Sequence, residues 1–463
     1  MELFNILAGD VAISLFGQTF DVSLNWIGNL IRLLIASVGS VGVGIILFSI
    51  ILKVIVLPFD VYQRVSMRKQ NQKMKENQEK MEKLQKQYAD NKDLYNQKVM
   101  EMYKESGFSM FSSCLPMILS MVIFIVAINA FNAYSQYSNI ENYNTMVDAY
   151  NACIESYCPD LDSENTDITL DNGVLTVKQA DENKYIYYTA KYEGENATGD
   201  YKAYLASYAG EKLYYIDSAK ALANAEIKAF VDGQAEAGVN EYDAVKAYFI
   251  GDAQSAVVEV YESTVSPHTS FLWIKNIWVT DASYKHPVLN YSEFSTEISR
   301  EDFDVNGEEL SYKEVPTNAY TEETYNTITA KLTLQKEQAN GYFVLIALSI
   351  ATILLQQIIT MRSQKEQQKY SSVDGQGASQ QKMMLVIMTG MFAIFSFMYS
   401  SSFSIYMIMS NVTSLLSTVI INKIVDAAAK KKEQEALEYK YSGRHARTTA
   451  YAKEADKKKD KKK

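Results

Sequence analysis

The chain has 463 residues, a net charge of −10 and a mean hydropathy of −0.16, values that on average describe a soluble acidic protein. The average hides a mosaic: residues 61–130 carry a net charge of +4, residues 131–361 carry −21 and residues 422–463 carry +7. With three histidines, no paired-His metal motif, no Gly-x-Ser-x-Gly elbow and no phosphate loop, the chain is expected to be no enzyme and to hold no metal or cofactor.

The opening Met-Glu-Leu-Phe lacks a basic region and a small-residue cleavage site, so no cleavable signal peptide is expected. In Leu24–Val38, Leu24, Ile27, Ile31, Leu34, Ile35 and Val38 share one helical face, and Asn25, Asn29 and Arg32 share the other. This pattern predicts an amphipathic helix at the outer interface, with Trp26 at headgroup level and Gly39-Ser40 as the turn into the bilayer. One long tilted span from Leu30 is the alternative.

The first transmembrane span is expected from Val41 to about Leu57, in a segment that closes at residue 60. Lys53 lies inside it, one turn after Ser49. A charge in hydrocarbon costs at least about 2.5–3.5 kcal/mol, so it marks a functional position. No Asp or Glu within the spans is expected to pair with Lys53. Its ammonium either meets water and polar groups or snorkels to the cytoplasmic headgroups.

Residues 61–110 predict a cytoplasmic helical hairpin. Met67, Met74, Met81 and Tyr88 recur every seven residues beside Leu84, Ala89–Asp93 forms the turn, and Tyr95, Val99 and Met102 continue on the return helix. The methionines either receive varied partners or only zip the two helices together. A second span follows at Cys114–Phe131, within 111–133, and contains Ser120 and Asn129.

Residues 134–340 are too long for a loop and predict an inserted α+β extracytoplasmic domain. Asn172-Gly173 signals a hairpin with Leu170 opposite Leu175, and Asn306-Gly307 a second one. Ser218–Val231 reads as a helix capped by Asp217 and stopped by Gly233. Asn240 opens another, with Tyr242, Val245 and Phe249 on one face and Gly251 after it. Cys153 and Cys158 can form a disulfide in an oxidising exterior, or remain free thiols.

The third span is expected at Tyr342–Met361 and contains Gln356 and Gln357 near its cytoplasmic end. After a flexible loop at 362–382, the fourth and fifth occupy 383–424, at Met383–Met398 and Phe403–Ile424, the last with Tyr406 and Asn411. Residues 425–463 form a basic tail. Positive segments inside and the acidic block outside place the N-terminus outside and the C-terminus in the cytoplasm. The fold class is an α-helical polytopic membrane protein with a five-helix transmembrane bundle.

Several segments, in order, resemble the YidC membrane protein insertase family of bacteria, with its mitochondrial and chloroplast relatives. Gly42 to Pro58 resembles that family's first core span, with Lys53 in the place of its groove arginine. Met102–Gly107 followed by Ser113–Pro116, Ser270–Trp278 and Ile405–Asn411 resemble later segments. The resemblance implies a groove open to the cytoplasm and lipid and closed to the outside. Lys53, Ser49, Asn129, Gln356, Gln357, Tyr406 and Asn411 would bind substrate there. It also implies a bacterial cell-membrane location and nascent membrane proteins as partners, besides membrane lipids. Two further partners are implied, a ribosome docked on the basic tail and the general secretion channel. Lysine keeps the arginine's charge but loses its planar fork. The large insertion between the second and third spans is another departure. A small-solute transporter or channel, and a membrane tether for the acidic ectodomain, are the alternatives.

Overall fold

The computed structural model describes residues 10–105, 110–157, 166–171, 174–181, 184–191, 211–305, 307–315, 317–363 and 376–460. In chain order its main elements are strands β1 (Asp10–Leu15) and β2 (Asp21–Val22), then helices α1 (Trp26–Val38), α2 (Val41–Gln87), α3 (Lys92–Glu105) and α4 (Met110–Ser156). Strands β3 (Thr166–Asp171), β4 (Val174–Asp181), β5 (Lys184–Lys191) and β6 (Glu211–Asp217) precede helices α5 (Ala225–Glu236), α6 (Glu241–Val260) and α7 (Tyr291–Ile298). Strands β7 (Asp302–Val305) and β8 (Glu308–Ser311) lead to helices α8 (Val344–Ser363), α9 (Gln376–Met398) and α10 (Ser401–Asp460). The chain divides into two compact units.

The first unit holds residues 1–45, 127–346 and 397–404. Two antiparallel sheets lie in it, one in the order β1-β6-β5-β4-β3 and one in the order β2-β7-β8. Leu170 pairs with Leu175, as the Asn-Gly signal requires, although Asn172 and Gly173 lie outside the described residues. In the second hairpin Gly307 adopts φ 87°, and its N–H donates to Asp304 Oδ1 at 2.8 Å. Alternating Ile13 and Leu15 of β1 are buried.

The C-terminal half of α4 supplies the core of this unit. Tyr137, Ile140, Tyr143, Val147, Tyr150 and Ile154 are buried at helical spacing. The Tyr143 ring lies 4.6 Å from Phe294 and 5.1 Å from Tyr325, and its hydroxyl donates to Ala319 O at 2.7 Å. Asn144 and Asn151 on the same helix donate to the carbonyls of Phe20 and Phe16, which pins the N-terminal segment.

Two helix boundaries differ from expectation. The helix expected at 218–231 is a short turn at Ser218–Ala221 followed by α5. Asn224, not Asp217, caps α5 by accepting from Glu226 and Ile227, and Gly233 lies inside it. Helix α6 opens on Asn240 as expected but passes through Gly251 to Val260. A helical glycine costs about 1 kcal/mol, and burial of Ala253 and Val257 beyond it offsets that cost. Val245 and Phe249 are buried whereas Tyr242 is exposed.

Helix α1 is capped by Asn25, whose side chain accepts from Gly28 N at 2.8 Å, and closed by Gly39 at φ 68°. The chain therefore turns at Gly39 and does not run as one helix from Leu30. Gly28, Ile31 and Ile35 are its buried face, while Trp26 and Leu33 are exposed. A Cβ on Gly44 would meet Ile35 at 2.7 Å, so glycine permits this close approach of α1 to the next helix.

The second unit holds residues 46–126, 347–396 and 405–463. Among the described residues three stretches are long and apolar enough to cross a bilayer, Val41–Ser66, Val344–Arg362 and Ser401–Val425. They match the expected first, third and fifth spans, and mark a helical, multi-pass membrane protein. The second and fourth expected spans fall in α4 and α9, whose early side chains, Ser120 among them, lie outside the described residues. The apolar stretch that opens α2 runs to Ser66, past Leu57, within a helix of 47 residues that has Pro58 inside it. Within the unit, Phe124 meets Phe392 at 5.0 Å, and Ser349 Oγ lies 2.9 Å from Ser396 Oγ. Small hydroxyl residues allow such close helix packing. In α2 and α3, Met81 and Met102 are buried; the side chains of Met67 and Met74 lie outside the described residues.

Candidate functional site

Within the second unit a cavity of about 270 Å³ is lined from five helices. Helix α2 contributes Ser49, Leu52, Lys53 and Val56, spaced i, i+3, i+4 and i+7, so one helical face supplies them all. Helix α10 contributes Tyr406, Met407, Ser410, Asn411 and Ser414 at the same kind of spacing. Ile353, Gln356 and Gln357 of α8, Ile123 and Phe124 of α4 and Phe392 of α9 complete it. The apolar members form low-dielectric walls, and the polar members come mainly from α2, α8 and α10.

Six of the seven residues singled out from the sequence line this cavity: Lys53, Ser49, Gln356, Gln357, Tyr406 and Asn411. Asn129 does not. It is exposed and belongs to the stretch of α4 in the first unit. Gln357 Oε1 accepts from Thr389 Oγ1 at 2.6 Å. Gln356 Oε1 and Asn411 Nδ2 are buried and find no hydrogen-bond partner among the described residues. Such groups are satisfied by water or a polar guest, and the cavity has room for several waters.

Lys53 has a partner that the sequence reading excluded. Its Nζ donates to Asp60 Oδ2 at 2.6 Å, with the two side chains 15% and 25% exposed. Seven residues make nearly two helical turns, so both side chains project on one side, about 10.5 Å apart along the axis. The long lysine stem spans that gap toward the C-terminal end of the span, the direction snorkelling would take. Hydropathy alone hides Asp60, because it ends the span at Leu57. The signal was its i+7 register with Lys53. Beyond Asp60, Arg64 Nη2 donates to Thr418 Oγ1 at 3.4 Å.

A second set of polar groups, in the first unit, organises the Ser270–Trp278 motif. Asp281 is fully buried, and its carboxylate accepts from Tyr342 N and Leu345 N, both at 2.6 Å. It thus caps the N-terminus of α8, where a negative charge also meets the helix dipole favourably. The carbonyls of Ile277 and Val279 accept from Ser402 N and Ser401 N at the start of α10. Asn340 Nδ2 donates to the carbonyls of Asn276, Val279 and Thr280, which locks the loop. One loop thereby accepts from N–H groups at the starts of two helices. The sequence offered Asn276 within a recognisable motif, but Asp281 and Asn340 gave no local signal.

In the same unit Cys153 is a free thiol whose Sγ lies 3.5 Å from Asp252 Oδ2, and burial pushes it up to about 11. Cys158 lies outside the described residues. Among the described residues no His, Cys, Asp and Glu cluster could hold a metal ion.

A family model described as "60Kd inner membrane protein" matches residues 33–166 and 256–430. Proteins named "Membrane protein insertase YidC" are similar to parts of the chain. That of Caldanaerobacter subterraneus is 35% identical over 98 residues, 21% of this chain and 46% of that protein. That of Fusobacterium nucleatum is 36% identical over 86 residues, 19% of this chain and 40% of that protein. That of Clostridium perfringens is 36% identical over 95 residues, 19% of this chain and 38% of that protein. The chain thus spans less than half the length of these relatives. The family match covers α2 and α10 through the cavity and leaves out residues 167–255. With two thirds of its length matched in two blocks, the chain belongs to the 60Kd inner membrane protein family, the family of the YidC-type insertases that its motifs resemble.

Proposed function

We propose that this chain is a membrane protein insertase and chaperone of a bacterial cell membrane. In this reading α2, α4, α8, α9 and α10 form a five-helix transmembrane bundle. The N-terminus and an inserted domain at 134–340 lie outside; the hairpin at 61–110 and the tail at 425–463 lie in the cytoplasm. The carrying observation is a polar, cation-bearing cavity walled by apolar side chains, with Gln356 and Asn411 each holding a buried polar atom that has no partner among the described residues. A nascent membrane segment would place its polar flank there while its apolar part moves into lipid. Water in the cavity lowers the dehydration cost of that flank. Lys53 would attract acidic flanks, strengthened by the low-dielectric walls. The cavity would be closed to the outside. Nascent chains would arrive at the hairpin, and the basic tail would dock on ribosomal phosphates in a salt-dependent manner.

The test is reconstitution of the full-length protein in liposomes with a short, acidic-tailed, single-span substrate, scored by protease protection. Wild type inserts it; Lys53→Ala and Lys53→Ala/Asp60→Asn, which avoids a stranded carboxylate, lose on the order of tenfold, the factor given by about 1.4 kcal/mol. Wild-type protection no better than that of empty liposomes, with several substrates and with the secretion channel present, would remove the insertase reading.

A further inference from the structure

Gln356 of α8 and Asn411 of α10 line the same cavity, within one compact unit. Gln356 brings a buried acceptor, Oε1, and Asn411 a buried donor, Nδ2; neither has a hydrogen-bond partner among the described residues. The adjacent Gln357 differs, since its Oε1 already accepts from Thr389 Oγ1 at 2.6 Å. A buried polar group costs free energy until something meets it, so the two atoms together specify the chemistry of a guest.

A carboxylate only accepts. It satisfies Asn411 but sets oxygen against oxygen at Gln356. An ammonium only donates. It satisfies Gln356 and opposes the Asn411 amide. A guest that carries a donor and an acceptor side by side answers both. Every substrate segment carries such a group at each non-proline residue, in the N–H and C=O of its main chain. A chain that meets the membrane before it has coiled into a helix has these groups unpaired, and hydrocarbon offers them no partner. Lys53, in the same cavity, addresses the charge of side chains. Gln356 and Asn411 address what all segments share.

Resting on the insertase reading of the cavity, we infer that Gln356 and Asn411 bind the main chain of the substrate's polar flank. Gln356 Oε1 accepts from a peptide N–H, and Asn411 Nδ2 donates to a peptide C=O. Recognition of this kind does not depend on side-chain sequence, so one cavity serves segments with unlike flanks. Proline lacks the N–H, and a proline at the engaged position loses the contact with Gln356.

The experiment uses one single-span peptide with a short polar flank, and a matched series in which each flank amide in turn becomes an ester. The ester keeps the side chain and removes the N–H. Affinity for the full-length protein in detergent is measured by fluorescence anisotropy, and insertion is measured in proteoliposomes by protease protection. With wild type, an ester at the engaged flank position is expected to weaken binding about fivefold, the net worth of one hydrogen bond. Gln356→Met, which keeps the length of the side chain without its acceptor, binds amide and ester peptides alike. Asn411→Leu weakens both and keeps their ratio. Esters that bind wild type as well as the amide at every flank position overturn the inference and leave the two atoms to water. An ester penalty that persists in Gln356→Met overturns it too. The affinity pattern with no insertion by any form would remove the insertase reading and leave main-chain recognition standing. Insertion without the affinity pattern would do the opposite.

Discussion

Asp281 shows how much one side chain can fix. Both carboxylate oxygens accept backbone hydrogen bonds at 2.6 Å, and a Cβ on the neighbouring Gly341 would lie 1.9 Å from Oδ1. Asp281→Ala strands two N–H groups at the start of α8, each costing about 1–3 kcal/mol. Thermal unfolding of the detergent-solubilised full chain should rank wild type above Asp281→Asn and that above Asp281→Ala; equal stability of wild type and alanine would contradict the capping role. Glu297 supplies a pH test. Burial pushes its carboxyl up to about 7, against which the Asn139 amide, donating at 2.8 Å, pulls down. The folded state therefore binds the proton more tightly than the unfolded chain. The resulting stability is fully present below the ordinary glutamate range and is lost as pH rises through about 7, at most about 3 kcal/mol. Part of any loss of stability between pH 5 and pH 8 should disappear in Glu297→Gln, and a variant with the wild-type profile would exclude this group as its source.

At the scale of elements, the corner between α1 and α2 depends on glycines. Gly39 closes α1 at φ 68°, and a Cβ on Gly42 would enter the ring of Phe271 at 2.0 Å. Gly39→Ala should cost about 1 kcal/mol for backbone strain, and Gly42→Val about 1–3 kcal/mol for overpacking, both read from the same unfolding curves. A stabilised Gly42→Val would mean that the ring has space to move. Gly39 was legible because a glycine after an amphipathic pattern marks a helix end. Helix starts at Asn25 and Asn240 carry local signals, although Asn25 was assigned to the polar face and only the structure makes it a cap. Helix ends at Gly233 and Gly251 were misread, because burial of residues beyond a glycine outweighs its propensity cost. The cavity was legible through periodicity, since Ser49 and Lys53, and likewise Tyr406 and Asn411, recur on single faces. Asp60 was not, because a boundary set by hydropathy cut it from the helix that carries it. Asn129 was read as inward from its place in an apolar run, and periodicity in that run did not fix which side faced the interior.

At the scale of the molecule, the internal stretch outside the family match is not one removable piece. Residues 167–255 include β3–β6 but also most of α6, whose Val245, Phe249 and Ala253 are buried. Strand β1, with its buried Ile13 and Leu15, pairs with β6 and packs on α6. Cutting 167–255 would therefore open the core of the first unit and leave β1 as an unpaired edge. Cutting only 163–208, with a flexible linker in its place, removes β3, β4 and β5 and keeps the β1–β6 pair over α6. The two deletions separate the competing roles of the whole protein. On the insertase reading, the shorter deletion inserts an acidic-tailed substrate at close to the full-length rate, because none of its described residues lines the cavity that holds Lys53. The longer deletion loses stability first, visible as a lower unfolding temperature. If the chain instead serves to display its acidic domain, the shorter deletion abolishes function while Lys53→Ala/Asp60→Asn leaves it intact. Protease-protection assays on both variants in parallel decide between these rankings.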